Sequence, residues 1–365
     1  MSSISDLSLS NVTKVSAGYG HAVAISDGKL YTWGLNDEYQ LGNGNTVNVT
    51  SPAQIGTDTD WEDVACGTKH TICKKTDGTI YAFGRNMESQ CGVTGSSSVT
   101  TPTACSGVTG TVHKIAASTH YSMYLNTDSD VYGVGDNVKR TIKSSTDTVT
   151  AWVQITDYTG ADIIAAGPQL SACYQQGVGV KIRGYYSNSF QYFNEENGTI
   201  RYSLAVYTTA ATVAETSALN LVNLTIGNDF ILGVEQAGDL YGFTFAADVP
   251  GPSQVSTFNS SLYASSIGFY GVQMYNIGGY YYPKCNYFEL IDDSKNWLKL
   301  DAGFDHAAIV TQDGEIYSFG NNDYYQLGRT YSGDDSNLVE MSGVASNGNW
   351  TVVGCGHYQT LLCKE

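Results

Sequence analysis

Repetition constrains this chain more than any other feature of its sequence. The stretch AGYGHAVAISDGKLYTWGLNDEYQLG (residues 17–42) returns about fifty residues later as ACGTKHTICKKTDGTIYAFGRNMESQCG (65–92). It returns again near the C-terminus as DAGFDHAAIVTQDGEIYSFGNNDYYQLG (301–328). AASTHYSMYLNTDSDVYGVGDN (116–137) is a worn copy, and IGNDFILGVEQAGDLYGF (226–243) keeps the glycine and the turn but carries Phe230 where histidine stood. AAGPQLSACYQQGVGVKIRGY (165–185) keeps little beyond Ala166, Gly167 and the spacing. SIGFYGVQMYNIGGYYY (266–282) is a further candidate, and VVGCGHYQTLLC (352–363) is a first half without a second. A period of this length marks stacked or radial units.

Inside one unit, small and β-branched residues lead into Gly-x-x-His, a short apolar alternation, Asp-Gly, and then Ile/Leu-Tyr-x-Trp/Phe-Gly. Asp27-Gly28, Asp77-Gly78 and Asp313-Gly314 read as two-residue hairpin turns, where glycine supplies the positive φ that a twisted hairpin needs. The flanking runs have the period of strands, and no long stretch has the period of a helix. Two clear strands with room for two more fit a four-stranded propeller blade. The lone half-unit at the end is then expected to pair with strands from the other end and close the ring, leaving no exposed edge.

Composition narrows the function. The chain has 365 residues, 42% of them hydrophobic and 15% charged, with 40 glycines and 27 tyrosines, which describes a folded, loop-rich β protein. Lys+Arg 18 against Asp+Glu 35 gives a formal charge of −17, a balance that repels phosphate backbones, so nucleic acid is not an expected partner. No apolar run is long enough to span a bilayer. The start, MSSISDLSLS, has neither a basic end nor an apolar core, so synthesis in the cytoplasm without Sec-type export is expected.

The pattern A-G-x-x-H…D-G-x-x-Y-x-W-G-x-N-x-x-x-Q-L-G resembles the repeat of the regulator of chromosome condensation family. Residues 15–92, 113–137 and 301–363 carry the resemblance well, and 141–300 carry it poorly. The resemblance implies an all-β, closed seven-bladed propeller with four-stranded blades. Anchors at His21, His70, His120, Leu170, Phe230, Gly271, His306 and His357 give seven intervals, and without Gly271 a six-bladed ring is the alternative. The whole of 1–365 is read as one propeller domain, with divergent, insertion-bearing blades over 141–300. The family's founding member accelerates nucleotide exchange on a small GTPase, and a bacterial β-lactamase inhibitor has a similar propeller. Photoreceptor relatives place tryptophan beside the repeat histidine, where this chain has Gly20, Lys69, Thr119, Asp305 and Gly356.

Recurrence also decides the role of the conspicuous side chains. A catalytic residue is needed once, whereas His21 recurs as His70, His120, His306 and His357. Separated around a ring, these cannot converge on one metal or substrate, and they are expected to hydrogen-bond backbone between blades. Asn36, Gln40, Asn86, Gln90, Asn322 and Gln326 are expected to pin loops, and Trp33, Phe83 and Phe319 to wedge between blades. No catalytic, cofactor or metal site is expected. The cysteines have no C-x-x-C, and Cys66, Cys73 and Cys173 sit in slots held elsewhere by alanine, so buried free thiols are expected.

Binding is what remains. The middle third carries tyrosine clusters, and tyrosine is enriched at interfaces, so Tyr185, Tyr186, Tyr192, Tyr280, Tyr281 and Tyr282 are the expected partner-binding residues. The expected function is a non-enzymatic protein-binding or structural component of a multi-subunit assembly. The polar, lysine-poor composition resembles virion proteins, which suggests a capsid- or tail-associated component. A nucleotide-exchange factor and an inhibitor of a secreted enzyme are the alternatives.

Overall fold

A computed structural model describes residues 9–194, 199–212, 216–228, 230–244, 274–277, 280–283, 289–328, 335–341 and 350–364. For 185–194, 199–212, 243–244, 274–277, 280–283, 289–290 and 335–337 the description is of the backbone alone. Among these residues the only helix is the short 3-10 turn Thr156–Tyr158, so no helix is long and apolar enough to cross a membrane.

The chain folds into a β-propeller. Six antiparallel four-stranded sheets and one of two two-stranded sheets are arranged as blades. Their innermost strands are Val12–Ala17, Trp61–Cys66, Val112–Ala117, Ile163–Ala166, Leu221–Ile226, Trp297–Ala302 and Trp350–Cys355. Each packs on the next, and the last packs on the first, around a central channel. Blades 1 to 6 each have four strands, and among the described residues blade 7 consists of Trp350–Cys355 and Thr360–Lys364. Seven four-stranded blades are not what is seen; the six of the alternative count are the complete ones.

Blades 4 and 5 depart from the regular four-strand unit. In blade 4 the outer strands Gly179–Asn194 and Thr199–Thr212 run far past the length of a blade strand. In blade 5 the hairpin of Met274–Ile277 and Tyr280–Pro283 falls between the third strand, Leu240–Thr244, and the fourth, Glu289–Asp292. The Gly271 anchor lies outside the described residues.

Each blade follows from its sequence period. The second strands His21–Ser26, Tyr121–Asn126 and His306–Thr311 are buried throughout because both faces lie against neighbouring blades. Apolar clusters therefore run between blades, as where Val23 and Ile25 meet Ile72, Ala82 and Phe83. The turns differ from expectation in one respect. Asp27-Gly28 is a two-residue turn with both φ values positive, 49° and 72°. In blades 2 and 6 the turns have three residues, closed by Lys75 N→Thr79 O and Thr311 N→Glu315 O, with only Gly78 and Gly314 left-handed. The extra residue puts Asp77 and Asp313 in ordinary φ, which a three-residue hairpin with a terminal glycine allows.

Ring closure also differs. The first described strand, Val12–Ala17, is already the inner strand of blade 1, and among the described residues no strand pairs with the outer edge of Thr360–Lys364. Closure rests on packing of Val12, Val15 and Ala24 against Val352, Leu361 and Cys363, and on two hydrogen bonds. Gln359 Nε2 donates to His21 O at 2.8 Å, and His357 N donates to Gly18 O at 3.0 Å.

Candidate functional site

Register identifies the repeat's anchor position. His21 opposes Gly34, His70 opposes Gly84 and His306 opposes Gly320, whereas in blade 3 it is Tyr121, not His120, that opposes Gly135. Blades 4 and 5 place Leu170 and Phe230 there. In blade 7 the pair Cys355↔Thr360 matches Cys66↔Thr71, which makes Gln359 the equivalent of His70. His120 and His357 therefore lie on the preceding loop, one and two residues short of the anchor. The correction has a simple source: each loop has a histidine near the right place, and only strand pairing separates them.

The three anchor histidines are buried and share one arrangement. His21 Nε2 meets Thr71 Oγ1 of the next blade at 3.1 Å, and Thr71 Oγ1 donates back to Gln40 O at 3.1 Å. His70, Ser122 and Gln90 O repeat this at 2.9 and 2.7 Å, and His306, Thr360 and Gln326 O at 3.0 and 2.7 Å. Because the hydroxyl proton goes to the carbonyl, the hydroxyl oxygen accepts from Nε2–H, which fixes the neutral tautomer. Contact with backbone is thus relayed through a hydroxyl rather than direct. Nδ1 has no hydrogen-bond partner, and with Cε1 it packs against Gly18, Gly67 or Gly303. A Cβ at Gly67 would fall 2.1 Å from His70 Cε1, which accounts for the glycine of A-G-x-x-H. Burial lowers the pKa of His21 to about 4, of His70 to about 3 and of His306 to about 4. These rings join neighbouring blades.

The other repeat residues fall into place around them. Asn36 Nδ2 donates to Asn45 O at 2.7 Å while its Oδ1 accepts from Leu41 N at 3.0 Å, and Asn86 and Asn137 do the same in their loops. Asn322 Oδ1 accepts from Leu327 N, and Gln40, Gln90 and Gln326 accept from backbone NH groups two residues earlier. Phe83 is buried over Gly42, and Phe319 lies 5.7 Å from Phe230 of the preceding blade. Trp33 packs toward blade 7 and is half-buried, since among the described residues no outer strand of that blade covers it.

The channel encloses a cavity of about 320 Å³. Lys14, Asp63, Asn223 and Lys299 line it at one register, with Lys14 Nζ 3.4 Å from Asp63 Oδ1. Deeper in, Ser16 accepts from Cys66 N, Thr225 from Ala302 N, and Asp301 from Cys355 N at 2.8 Å. Burial raises the Asp301 carboxyl to about 6. Among the described residues no group of His, Cys, Asp and Glu could hold a metal ion.

Seven cysteines are described as free thiols, and burial raises Cys66, Cys105 and Cys173 to about 12. Reductant and chelator are each expected to leave the melting temperature within error of the untreated value in a calorimetric scan. A lost bridge would lower stability by about 2–5 kcal/mol and show as a shift of degrees.

The expected tyrosine sites can be placed only in part. Tyr185 and Tyr192 pair with Val206 and Arg201 on the long hairpin of blade 4, with Tyr186 between them, and Tyr280, Tyr281 and Tyr282 pair with Ile277, Asn276 and Tyr275. Their side chains lie outside the described residues. A different aromatic group is described, on the face that carries the loops before the second strands and after the third. Tyr19 of blade 1 lies 5.0 Å from His357 and 5.2 Å from Tyr358 of blade 7. Phe304 and Tyr324 of blade 6 lie 4.2 Å from His357 and 4.3 Å from Tyr358. Tyr19 is 39% exposed, Tyr324 60% and Tyr325 38%. The sequence does carry a signal for this group, since aromatic residues fill the same loop slots in adjacent units as Tyr19, Phe304 and His357. That signal emerges only once the units are aligned around a ring.

Comparison with known proteins agrees with this architecture. The family description "Regulator of chromosome condensation (RCC1) repeat" matches residues 27–73, 77–125 and 313–363, and a second description of the same repeat matches 12–40, 61–92 and 297–326. The chain is a β-propeller that carries regulator of chromosome condensation repeats over these residues. Among curated relatives it is 42% identical over 69 residues to the ultraviolet-B receptor UVR8 of Arabidopsis thaliana, covering 18% of this chain and 16% of that protein. It is 41% identical over 70 residues to an X-linked retinitis pigmentosa GTPase regulator homolog of Caenorhabditis elegans, 18% of this chain and 5% of that one. These matches thus span a small part of either relative. Among solved structures, human WBSCR16 superposes with a TM-score of 0.74 at 16% identity, over 99% of this chain and 88% of that one. Prp20p of Saccharomyces cerevisiae superposes at 0.73 and 17% identity, over 96% and 81%. At such identities the likeness is one of fold.

Proposed function

We infer that this propeller is a non-enzymatic protein-binding module, and that its docking surface is the loop face where blades 6, 7 and 1 meet. One observation carries the reading: the aromatic rings of Tyr19, Phe304, Tyr324, His357 and Tyr358 lie in mutual contact on that face, with two of the tyrosines exposed. Exposed, clustered aromatic groups supply the few contacts that dominate binding, each worth roughly 2 kcal/mol or more on truncation. The anchor histidines sit beneath them as interblade ties, which leaves the face rigid and its side chains pre-positioned.

The test is co-purification from the native source. The wild type and a Val178→Ala control are expected to bring down the same partner, while Tyr324→Ala combined with Tyr358→Ala loses it and keeps its melting temperature within a few degrees. Undiminished capture by the double variant would refute the assignment.

A second reading has one observation in its favour. The superposition on Prp20p extends over nearly the whole chain, and that protein's structure was described with its binding to Gsp1p and histones. Exchange activity on a small GTPase would follow by analogy. Against it stands the charge of −17. Retention on duplex DNA at low salt, or faster nucleotide release from a small GTPase, would favour that reading over the first. The relatives named above include no virion component and no enzyme inhibitor, so neither placement gains support from them.

A further inference from the structure

The repeats can be compared with one another, and at one place they disagree in a way that points outward. In the junction of blades 1 and 2, Asp37 follows the loop-pinning Asn36, and Lys69 precedes the anchor His70; Lys69 Nζ reaches Asp37 Oδ2 at 2.5 Å. In the junction of blades 6 and 7 the same slots hold Asp323, after Asn322, and Tyr358, before Gln359. The carboxylate has been kept and the lysine has become an aromatic ring. Asp323 is exposed and accepts from Asn321 Nδ2 at 3.0 Å, and among the described residues no cation pairs with it.

We propose that the missing cation comes from the partner: a lysine or arginine side chain on a segment of another protein, seated over Tyr358 and Tyr324 with its charge against Asp323. This rests on the reading of the loop face as the docking surface and adds the chemistry of what docks there. A cation over a tyrosine face within about 6 Å of the centroid is attracted by the ring quadrupole, and the attraction grows as the site is desolvated. Tyr358 and Tyr324 stand 4.3 Å apart at an interplanar angle of 46°, and Tyr324, the residue after Asp323, is 60% exposed, so its ring offers a free face beside the carboxylate. Asp305, on the loop next to Phe304, is close enough to act on the Tyr358 phenol. The charge of −17 draws basic segments toward the molecule from a distance, while the pocket of two rings and a carboxylate decides where they stop.

The experiment uses the full chain and short fluorescent peptides, Gly-Ser backbones bearing two arginines or two lysines, against a matched peptide bearing two glutamates. Saturable binding of the basic peptides is expected, with none for the acidic one. Asp323→Asn and Tyr358→Ala are each expected to weaken it at least fivefold. Asp27→Asn removes the same charge from a turn on the opposite face and is expected to change it less than twofold. Tyr358→Lys restores the repeat's internal cation and is expected to abolish peptide binding without loss of melting temperature. Equal effects of Asp323→Asn and Asp27→Asn would overturn the proposal, because binding would then follow net charge alone. So would full binding by Tyr358→Lys. If no basic peptide binds while the loop-face tyrosine variant still loses its native partner, the proposal fails and the docking surface stands.

Discussion

Acidification from pH 7 to pH 5 should remove stability on the order of 4–6 kcal/mol, a large part of the net stability of an ordinary folded protein. The source is the set of three anchor histidines, whose folded pKa values of about 4, 3 and 4 lie well below that of an exposed imidazole. Neutral in the fold, they take up protons only on unfolding, so stability is full above about pH 6.5 and falls as the pH drops toward the folded values. At pH 5 each histidine accounts for about 2 kcal/mol of that fall. Asp301 works in the opposite sense. Its carboxyl is raised to about 6, so it opposes folding when ionised, and protonation on the way to pH 5 returns about 1 kcal/mol. Denaturant titrations at half-unit steps of pH would measure the balance. His70→Gln should remove about a third of the acid loss, and Asp301→Asn should raise stability at pH 7 while leaving it unchanged near pH 4. Stability that stays level between pH 7 and pH 5 would mean that the histidines are not neutral and buried as described.

Deleting residues 350–364 should have a comparably large effect. The two strands of blade 7 bury Val353 and Cys355 against Ala308, Val310, Ile316 and Met341 on one side. On the other, Val352 packs on Val12, Val15 and Ala24. Each such side chain contributes roughly 1.5–3 kcal/mol when fully buried, and removing the sheet uncovers both neighbours at once. It also takes away the Thr360 hydroxyl that accepts from His306, and the Gln359 amide bonded to blade 1. The shortened chain should aggregate, or melt roughly 10 °C or more below the full one. Light scattering beside a thermal scan would show either outcome. A monomer with unchanged melting would mean that six blades close without the seventh sheet.

Much of this was legible because repeats advertise themselves. Gly-x-x-His, the Asp-Gly turns and the N-x-x-x-Q-L-G loops recur at fixed spacing, and a pattern that recurs is structural before it is catalytic. What the sequence could not place was register within the worn copies. His120 and His357 sit one and two residues from the anchor, and telling them from Tyr121 and Gln359 requires the strand pairing itself. Turn length was lost for the same reason, since Asp77-Gly78 and Asp27-Gly28 look alike although one turn holds an extra residue. The aromatic face was missed because its members are far apart in the chain: Tyr19 and Tyr358 touch only because the ring brings its two ends together. Tyrosines adjacent in sequence drew attention to the divergent arc instead.

The relays of histidine, hydroxyl and carbonyl all run the same way, from each blade to its successor in the chain. The ring therefore has a handed circulation of dependence. Loss of the Thr71 hydroxyl in blade 2 frees His21 and the Gln40 carbonyl of blade 1 behind it, while the bond from His70 forward to Ser122 can persist. Damage travels upstream, so amide exchange following a local defect should quicken first in the preceding blade, an asymmetry that a palindromic interface between like subunits would not show.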